Sequence, residues 1–291
     1  MTIALGRTRA RVRARWAETA TGYALVALPL AVLCVLVLMP ASVAVVETVI
    51  VTGPDGPRLS LDHYTAFFAD PFARRNLIYS LIQTAASTAT VLAIALAIAV
   101  YLRFGTGRAV RVVHALALFP LFVPAIIAAY ALIRFLGPNG LFQMLLERVG
   151  IGGYASPYLT PLGPFIGFVW EGLPLPVLVL TAGLAQVSDH AIEAARDLGA
   201  GGVRIFREIL LPQVTRSLLI ACSLVFLGIF GSYTIPYMMG PAAPEMMGVF
   251  MQRTYDQLQR PQDAQVQAVV SFLVCALVSV AYVRLILKER R

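Results

Sequence analysis

Charge is what this 291-residue sequence has least of: 13% of its residues are Asp, Glu, Lys or Arg, where a soluble domain carries about 25%. Histidine and cysteine are scarce too, with three of each. His63, His114 and His190 form no H-E-x-x-H pair, and Cys34, Cys222 and Cys275 show no C-x-x-C spacing. A zincin helix is thereby excluded, and neither a metal site nor a disulfide framework is expected. No G-x-x-x-x-G-K-[ST] run occurs, so the chain has no phosphate loop of its own for ATP. Gly199-Ala200-Gly201-Gly202 is glycine-rich but does not fit the dinucleotide fingerprint.

What the sequence does have is apolar surface. Hydrophobic residues make up 59% of it, above the roughly 45–50% of soluble domains, and disorder is excluded by the same figure. A helix crosses roughly 30 Å of hydrocarbon with about 20 mostly apolar residues. Six stretches qualify: Tyr23–Ile50, Leu77–Leu102, Val112–Phe135, Leu162–Ala185, Leu218–Met239 and Val266–Leu287. The expected fold is therefore all-α, a single six-helix transmembrane domain over residues 23–291 behind a basic segment, residues 1–22. The third and fourth stretches contain Pro120, Pro124, Pro164, Pro174 and Pro176. Membrane helices tolerate proline where neighbours satisfy the freed carbonyls, and Pro174-Leu175-Pro176 is expected to kink or break the fourth span.

Cationic residues set the expected orientation. With a cytoplasmic amino terminus, sixteen of the 23 Lys and Arg residues fall inside. They are Arg7, Arg9, Arg11, Arg13 and Arg15; Arg103, Arg108 and Arg111; Arg196, Arg204, Arg207 and Arg216; and Arg284, Lys288, Arg290 and Arg291. The excess follows the positive-inside rule, with both termini cytoplasmic. The inner side sums to +10 against −2 for the remainder, which together make the net +8. That positive charge is a topology asymmetry with lipid-headgroup contact, and no nucleic-acid partner is expected. Ala41-Ser42-Val43-Ala44 faintly resembles a signal-peptide cleavage site, but the apolar run before it exceeds the usual 7–15 residues and favours a retained anchor.

The outer segments are short. Gly53-Pro54-Asp55-Gly56-Pro57 is a turn cluster, Gly137-Pro138-Asn139-Gly140 is followed by a short helix over Leu141–Val149, and Gly240–Asp263 mixes prolines with Met246–Tyr255. None is long enough for a separate soluble domain.

The longest inner segment, Gln186–Arg216, carries most information. Ser188 or Asp189 can cap a short helix over Ala191–Leu198, and Gly199 stands where a C-cap glycine ends one. Ile192, Ala195 and Leu198 are expected on one face of it at i, i+3 and i+6 spacing, and a second amphipathic stretch, Val203–Leu211, is expected to end before Pro212. Small Ala194 and Ala195 permit close approach, while Ile192, Leu198 and Phe206 offer apolar knobs for a partner's groove. An amphipathic helix resting on the lipid surface is the alternative.

Glu193-Ala194-Ala195, three residues, Gly199, nine residues, then Ile209-x-Leu211-Pro212 resembles the EAA loop of ABC importer permeases at every signature position. The sequence resembles the permease subunit of a type I, MetI-like, binding-protein-dependent ABC importer from about Asn76 to its end, including Trp170-x-x-x-Pro174. That resemblance implies that Glu193, Ala194, Ala195, Leu198, Gly199, Phe206, Ile209, Leu211 and Pro212 couple the chain to an ATPase. It implies no cofactor in this chain, with ATP and Mg held by a pair of ABC ATPase subunits. A second permease, an extracytoplasmic binding protein and a small solute are the other implied partners, in the inner membrane of a prokaryote, with transport by alternating access.

Glu171 is the one acid well inside a predicted span, beside Trp170 and before the Pro174 break. It either lines the passage for a cationic solute, with Trp170 adding a cation–π face, or is solvated or paired with Arg134. Ser232, Tyr233 and Tyr237 mark a polar, breakable place in span five, although tyrosines there also suit a membrane interface. Pro236-Tyr237-Met238-Met239-Gly240 through Arg260-Pro261 resembles the spermidine/putrescine branch, yet Ser232 stands where many polyamine-type permeases carry an acid. Sugar, phosphonate and iron-chelate importers share the layout. An intramembrane enzyme lacks its constellation here, since His114 stands alone and Glu171 has no second acid, and a mere scaffold does not require the Glu193–Pro212 signature.

Overall fold

The computed structural model describes residues 23, 25–53 and 56–289. The Arg7–Arg15 run, Glu18, Pro54, Asp55, Arg290 and Arg291 lie outside the described residues. The chain divides between Thr65 and Ala66 into two compact units.

In the first unit, α1 (Leu25–Glu47) is a membrane-length helix whose apolar side chains are exposed along its whole length, as lipid contact requires. A π turn at Cys34–Leu38 precedes Pro40, which falls in the first turn of the resumed helix. The turn cluster after it closes a small antiparallel hairpin, β1 (Ile50–Gly53) with β2 (Gly56–Leu59), in which Gly53 faces Gly56. The all-α expectation missed these two strands. Buried Thr48 donates to the Val45 carbonyl at 2.6 Å and lies 2.7 Å from the Tyr64 hydroxyl. Tyr64 belongs to α2 (Asp62–Ala69), which continues into the second unit.

The second unit is a helical bundle. Its central element is α3 (Pro71–Phe104), 34 residues long, started by Asp70, whose carboxylate accepts the Phe72 N–H at 2.9 Å, with Pro71 in the first turn. One face of α3 is buried throughout. It is polar at Asn76, Ser80, Gln83, Thr84, Ser87 and Thr88, then apolar at Val91, Ala95 and Ala99.

The third apolar stretch is not one helix, because Pro120 and Pro124 interrupt it. It comprises α4 (Arg108–Leu118), a 3₁₀ turn at Phe119–Phe122, and α5 (Ala125–Leu136). Short α6 (Leu141–Arg148) follows as expected, and the apolar stretch long enough to span runs Ala125–Arg148 through α5 and α6. The fourth span is bent by 42° between α7 (Leu162–Gly172) and α8 (Pro174–Leu184), at the Pro174 break. Next come α9 (Asp189–Asp197), α10 (Gly202–Phe230), α11 (Thr234–Met239), α12 (Met247–Asp256) and α13 (Pro261–Glu289). Among the described residues, five helical stretches are thus long and apolar enough to cross a membrane, and the bent α7–α8 pair makes a sixth if taken as one span.

Pro212 does not end the second amphipathic stretch. A π turn at Phe206–Leu210 shifts the hydrogen-bond register, so that the Leu211 N–H reaches the Phe206 carbonyl. Pro212 then falls in the first turn of the new register, and α10 runs on unbroken. Where α8 and α10 cross, a Cβ at Gly183 would lie 2.8 Å from Ser217 Cβ, so the glycine is what permits the approach.

Candidate functional site

The Glu193–Pro212 segment sits on one end of the bundle, over a core that includes Ala99, Leu184, Val187, Ile205, Leu210 and Val214. Ile192 is part of this core at 3% exposure, so it anchors α9 to the chain itself and is no knob for a partner. Leu198 is 88% exposed. The i+6 spacing explains the split, since six residues at 3.6 per turn leave Leu198 about 120° from Ile192.

The end of α9 accounts for the spacing between Ala195 and Gly199. Gly199 adopts φ +80° and donates its N–H to the Arg196 carbonyl at 2.9 Å. The Ala200 N–H reaches the Ala195 carbonyl, also at 2.9 Å. Together these form a Schellman stop. Ala195 and Ala200, its two contact positions, are half-buried against the same core. At the other end, Ser188 occupies the N-cap position without a side-chain cap bond.

Glu193, Ala194, Leu198 and Gly199 are exposed, as are Val203, Arg204, Arg207 and Glu208. Val203 is an apolar surface residue that the sequence reading passed over. Phe206 and Ile209 are half-buried on the core, Leu211 is half-buried and Pro212 exposed. Phe206 closes a groove of about 360 Å³ with Val100, Phe104, Arg196 and Ala200.

Arg103, counted in the sequence only for its charge, is the main tie beneath α9. From the last turn of α3 it donates to the carbonyls of Leu184 at 3.2 Å and Val187 at 3.3 Å, and it pairs with Asp189 in the first turn of α9. No local pattern marks this contact, because Arg103 and Asp189 are 86 residues apart.

The solute-path candidates lie on neighbouring helices. Glu171, half-buried near the end of α7, has no hydrogen bond or ion pair among the described residues. Arg134 is not its partner; it lines a separate pocket with Phe135, Asn139 and Met144. Trp170 meets Phe119 edge-on at 6.5 Å. The span-five break falls between Phe230 and Thr234, and Tyr233, at its end, stacks on Tyr237 of α11 at 5.0 Å. Ser232 is half-buried, with its carbonyl where a Cβ at Gly248 would come within 2.6 Å. A Cβ at Gly167 would lie 2.7 Å from Ile235, the close approach that seats α7 against α11.

At the end of α3 away from Arg103, polar side chains hold two loops. Asn76 Oδ1 accepts the Glu245 N–H at 3.1 Å and Ser80 Oγ accepts the Met247 N–H at 2.8 Å. Gln83 donates to the Pro161 carbonyl at 3.0 Å. Glu245 is buried, and burial raises the pKa of its carboxyl although Arg253, 2.5 Å away, pulls it down. The Arg253 guanidinium lies over Phe72 at 5.2 Å and Phe250 at 5.9 Å.

The described residues thus form a bundle with bent spans around an interior polar helix face, and a glycine-stopped helix is fastened to its base. The model of the binding-protein-dependent transport system inner membrane component matches residues 89–291. The chain belongs to that family, the permease subunits of type I ABC importers in the inner membrane. It is 29% identical over 194 residues to the spermidine/putrescine transport system permease protein PotB of Escherichia coli K12, covering 65% of this chain and 69% of PotB. To the inner membrane ABC transporter permease protein YdcU of the same organism it is 25% identical over 198 residues, covering 64% and 63%. Among solved structures it is similar to a chain of a bacterial ABC transporter that imports alginate, with TM-score 0.75, 17% identity, and 94% and 99% of the two chains covered. A chain of the inward-facing MetNI methionine transporter gives TM-score 0.59 at 19% identity, covering 75% and 95%.

Proposed function

We propose that this permease forms, with a second permease, the path by which a polyamine such as spermidine or putrescine enters the cell. An extracytoplasmic protein delivers the solute, and a pair of ABC ATPase subunits binds ATP with Mg and drives the cycle. Both termini are cytoplasmic, which puts α9 on the ATPase side. There Glu193, Ala194, Leu198, Gly199 and Val203 form the seat for the ATPase, while Phe206, Ile209, Leu211 and Pro212 join that seat to span five. Closure of the ATPase pair moves α9, and the attached spans rock between inward- and outward-facing states. Differential contacts of the ATPase in its open and closed forms bias that equilibrium.

The observation that carries the coupling reading is the surface of α9: a helix packed rigidly from below by Ile192 and stopped by Gly199, with Glu193 and Leu198 left uncovered. The solute reading rests on likeness to PotB, together with a half-buried Glu171 that has no counter-ion among the described residues and stands beside Trp170. A carboxylate in a span attracts a cation, and an indole adds a cation–π face. Uptake of labelled putrescine and spermidine by the reconstituted complex tests both parts. Glu171→Gln should reduce cation uptake, whereas Glu193→Lys or Gly199→Arg should leave insertion intact and separate transport from ATP hydrolysis. Unchanged uptake of every cationic solute by Glu171→Gln removes the cation argument, and uptake of a sugar, phosphonate or iron chelate in its place reassigns the solute.

A further inference from the structure

Helix α3 is fastened both to the start of α9 and to the chain at the opposite end of the bundle. At the α9 end, Arg103 binds the carbonyls of Leu184 and Val187 and the carboxylate of Asp189. At the far end, Asn76 and Ser80 hold the backbone of Glu245 and of Met247, the first residue of α12. Between these points α3 contains no glycine or proline, so it has none of the usual kink sites. The spans beside it are less regular: α7–α8 bends by 42°, and α10, though continuous, carries a π turn and ends at Gly231. A straight helix of 34 residues is about 50 Å long at about 1.5 Å per residue. It joins the two ends of the bundle without a hinge.

We propose that Arg103 is a positioning residue for transport, the fastening through which α3 carries displacement of α9 to the loops held by Asn76 and Ser80. This rests on the reading that α9 seats on the ATPase. Arg103 suits the task because a guanidinium presents several donors in a planar fork, and three acceptors from α8, the following turn and α9 converge on it. Lysine offers its donors from a single point and cannot span all three. Moving α9 while Arg103 keeps its bonds requires α3 to move with it. Releasing Arg103 lets α9 follow the ATPase while α3 stays behind. Coupling is reciprocal in binding free energy, so a binding protein docking on the far loops must lose part of its effect on the ATPase when Arg103 is removed.

The test is a double-mutant cycle on the purified complex, with both permeases and the ATPase pair in lipid nanodiscs for hydrolysis and in liposomes for uptake. The readouts are solute imported per ATP hydrolysed and stimulation of hydrolysis by the binding protein. Arg103→Ala should leave unstimulated hydrolysis near its normal rate and lower both readouts roughly tenfold, within the range typical of coupled sites. Arg103→Lys should recover part of the loss, which a role confined to charge balance would recover in full. Ser80→Ala, about 35 Å away along α3 at 1.5 Å per residue, should impair the same readouts, and the double variant should be no worse than the weaker single. Independent sites would instead multiply their effects.

An unchanged import ratio in Arg103→Ala overturns the proposal, as do effects that multiply. If Arg103→Ala fails to assemble, Arg103→Lys, which cannot span all three acceptors, takes its place, and an unchanged ratio there overturns it equally. The docking reading fails separately: normal ATPase binding and coupling in Glu193→Lys would remove that surface whatever Arg103 does.

Discussion

Substituting Gly199 changes the backbone and almost nothing else. Its φ is +80°, and a Cβ built there meets no atom of the chain within 4 Å, so the added Cβ itself encounters no steric conflict. What remains is the cost of holding an L-residue in the left-handed region, about 1–2 kcal/mol for alanine. Asparagine tolerates that region several-fold better than most residues, and β-branched valine tolerates it worst. The free loop can relieve this strain by giving up the bonds from Gly199 to Arg196 and from Ala200 to Ala195. Docking on the ATPase must then restore them. Gly199→Ala should therefore weaken ATPase binding about five- to thirtyfold, the factor that corresponds to one to two kcal/mol. Titrating the ATPase against the permease pair in nanodiscs measures the shift, which should rank Gly, Asn, Ala, Val. Equal affinities for Asn and Val would refute the reasoning, because the left-handed turn would then be dispensable.

Ile192→Ala empties a buried site and should cost about 2–5 kcal/mol of stability, seen as a lower melting temperature of the purified permease. Leu198→Ala, at an exposed position, should leave melting unchanged and weaken ATPase association. Gly248→Ala forces a Cβ to within 2.6 Å of the Ser232 carbonyl and should destabilise by about 1–3 kcal/mol, as overpacking does, read in the same melting assay. Glu245 provides a pH test. Its native pKa lies above the ordinary value because burial disfavours the charged form, so the native state binds the proton more tightly than the unfolded state. Its contribution to stability must then rise as pH falls through that raised pKa and diminish as pH increases. Glu245→Gln should remove this component, seen as a changed slope of melting temperature against pH between 5 and 8.

Most spans were legible because the bilayer imposes a length and a composition that survive averaging over about 20 residues, but Val112–Phe135 is broken by Pro120 and Pro124 and the stretch long enough to span is Ala125–Arg148. Gly199 was legible because a left-handed stop favours one residue type, and the break at Pro174 because proline has no N–H. What escaped depends on relations that local pattern does not encode. The inward turn of Ile192 is set by the core under α9, and spacing alone placed it on the same side as Leu198. Pro212 was read as a stop because a π turn leaves no compositional mark. Arg103 looked like any inner arginine until the fold brought Leu184, Val187 and Asp189 to it. Strands β1 and β2 are four residues each, too short for alternation to show beside a turn cluster.

The central claim is that α9 is the surface an ATPase grips. A photo-crosslinking benzophenone residue at position 198, in native membranes holding the assembled transporter, tests it directly. Irradiation should join the permease to its soluble ATPase subunit, and Gly199→Val should reduce the yield. Crosslinking to phospholipid, with no ATPase adduct, would show α9 lying on the bilayer surface and contradict the account.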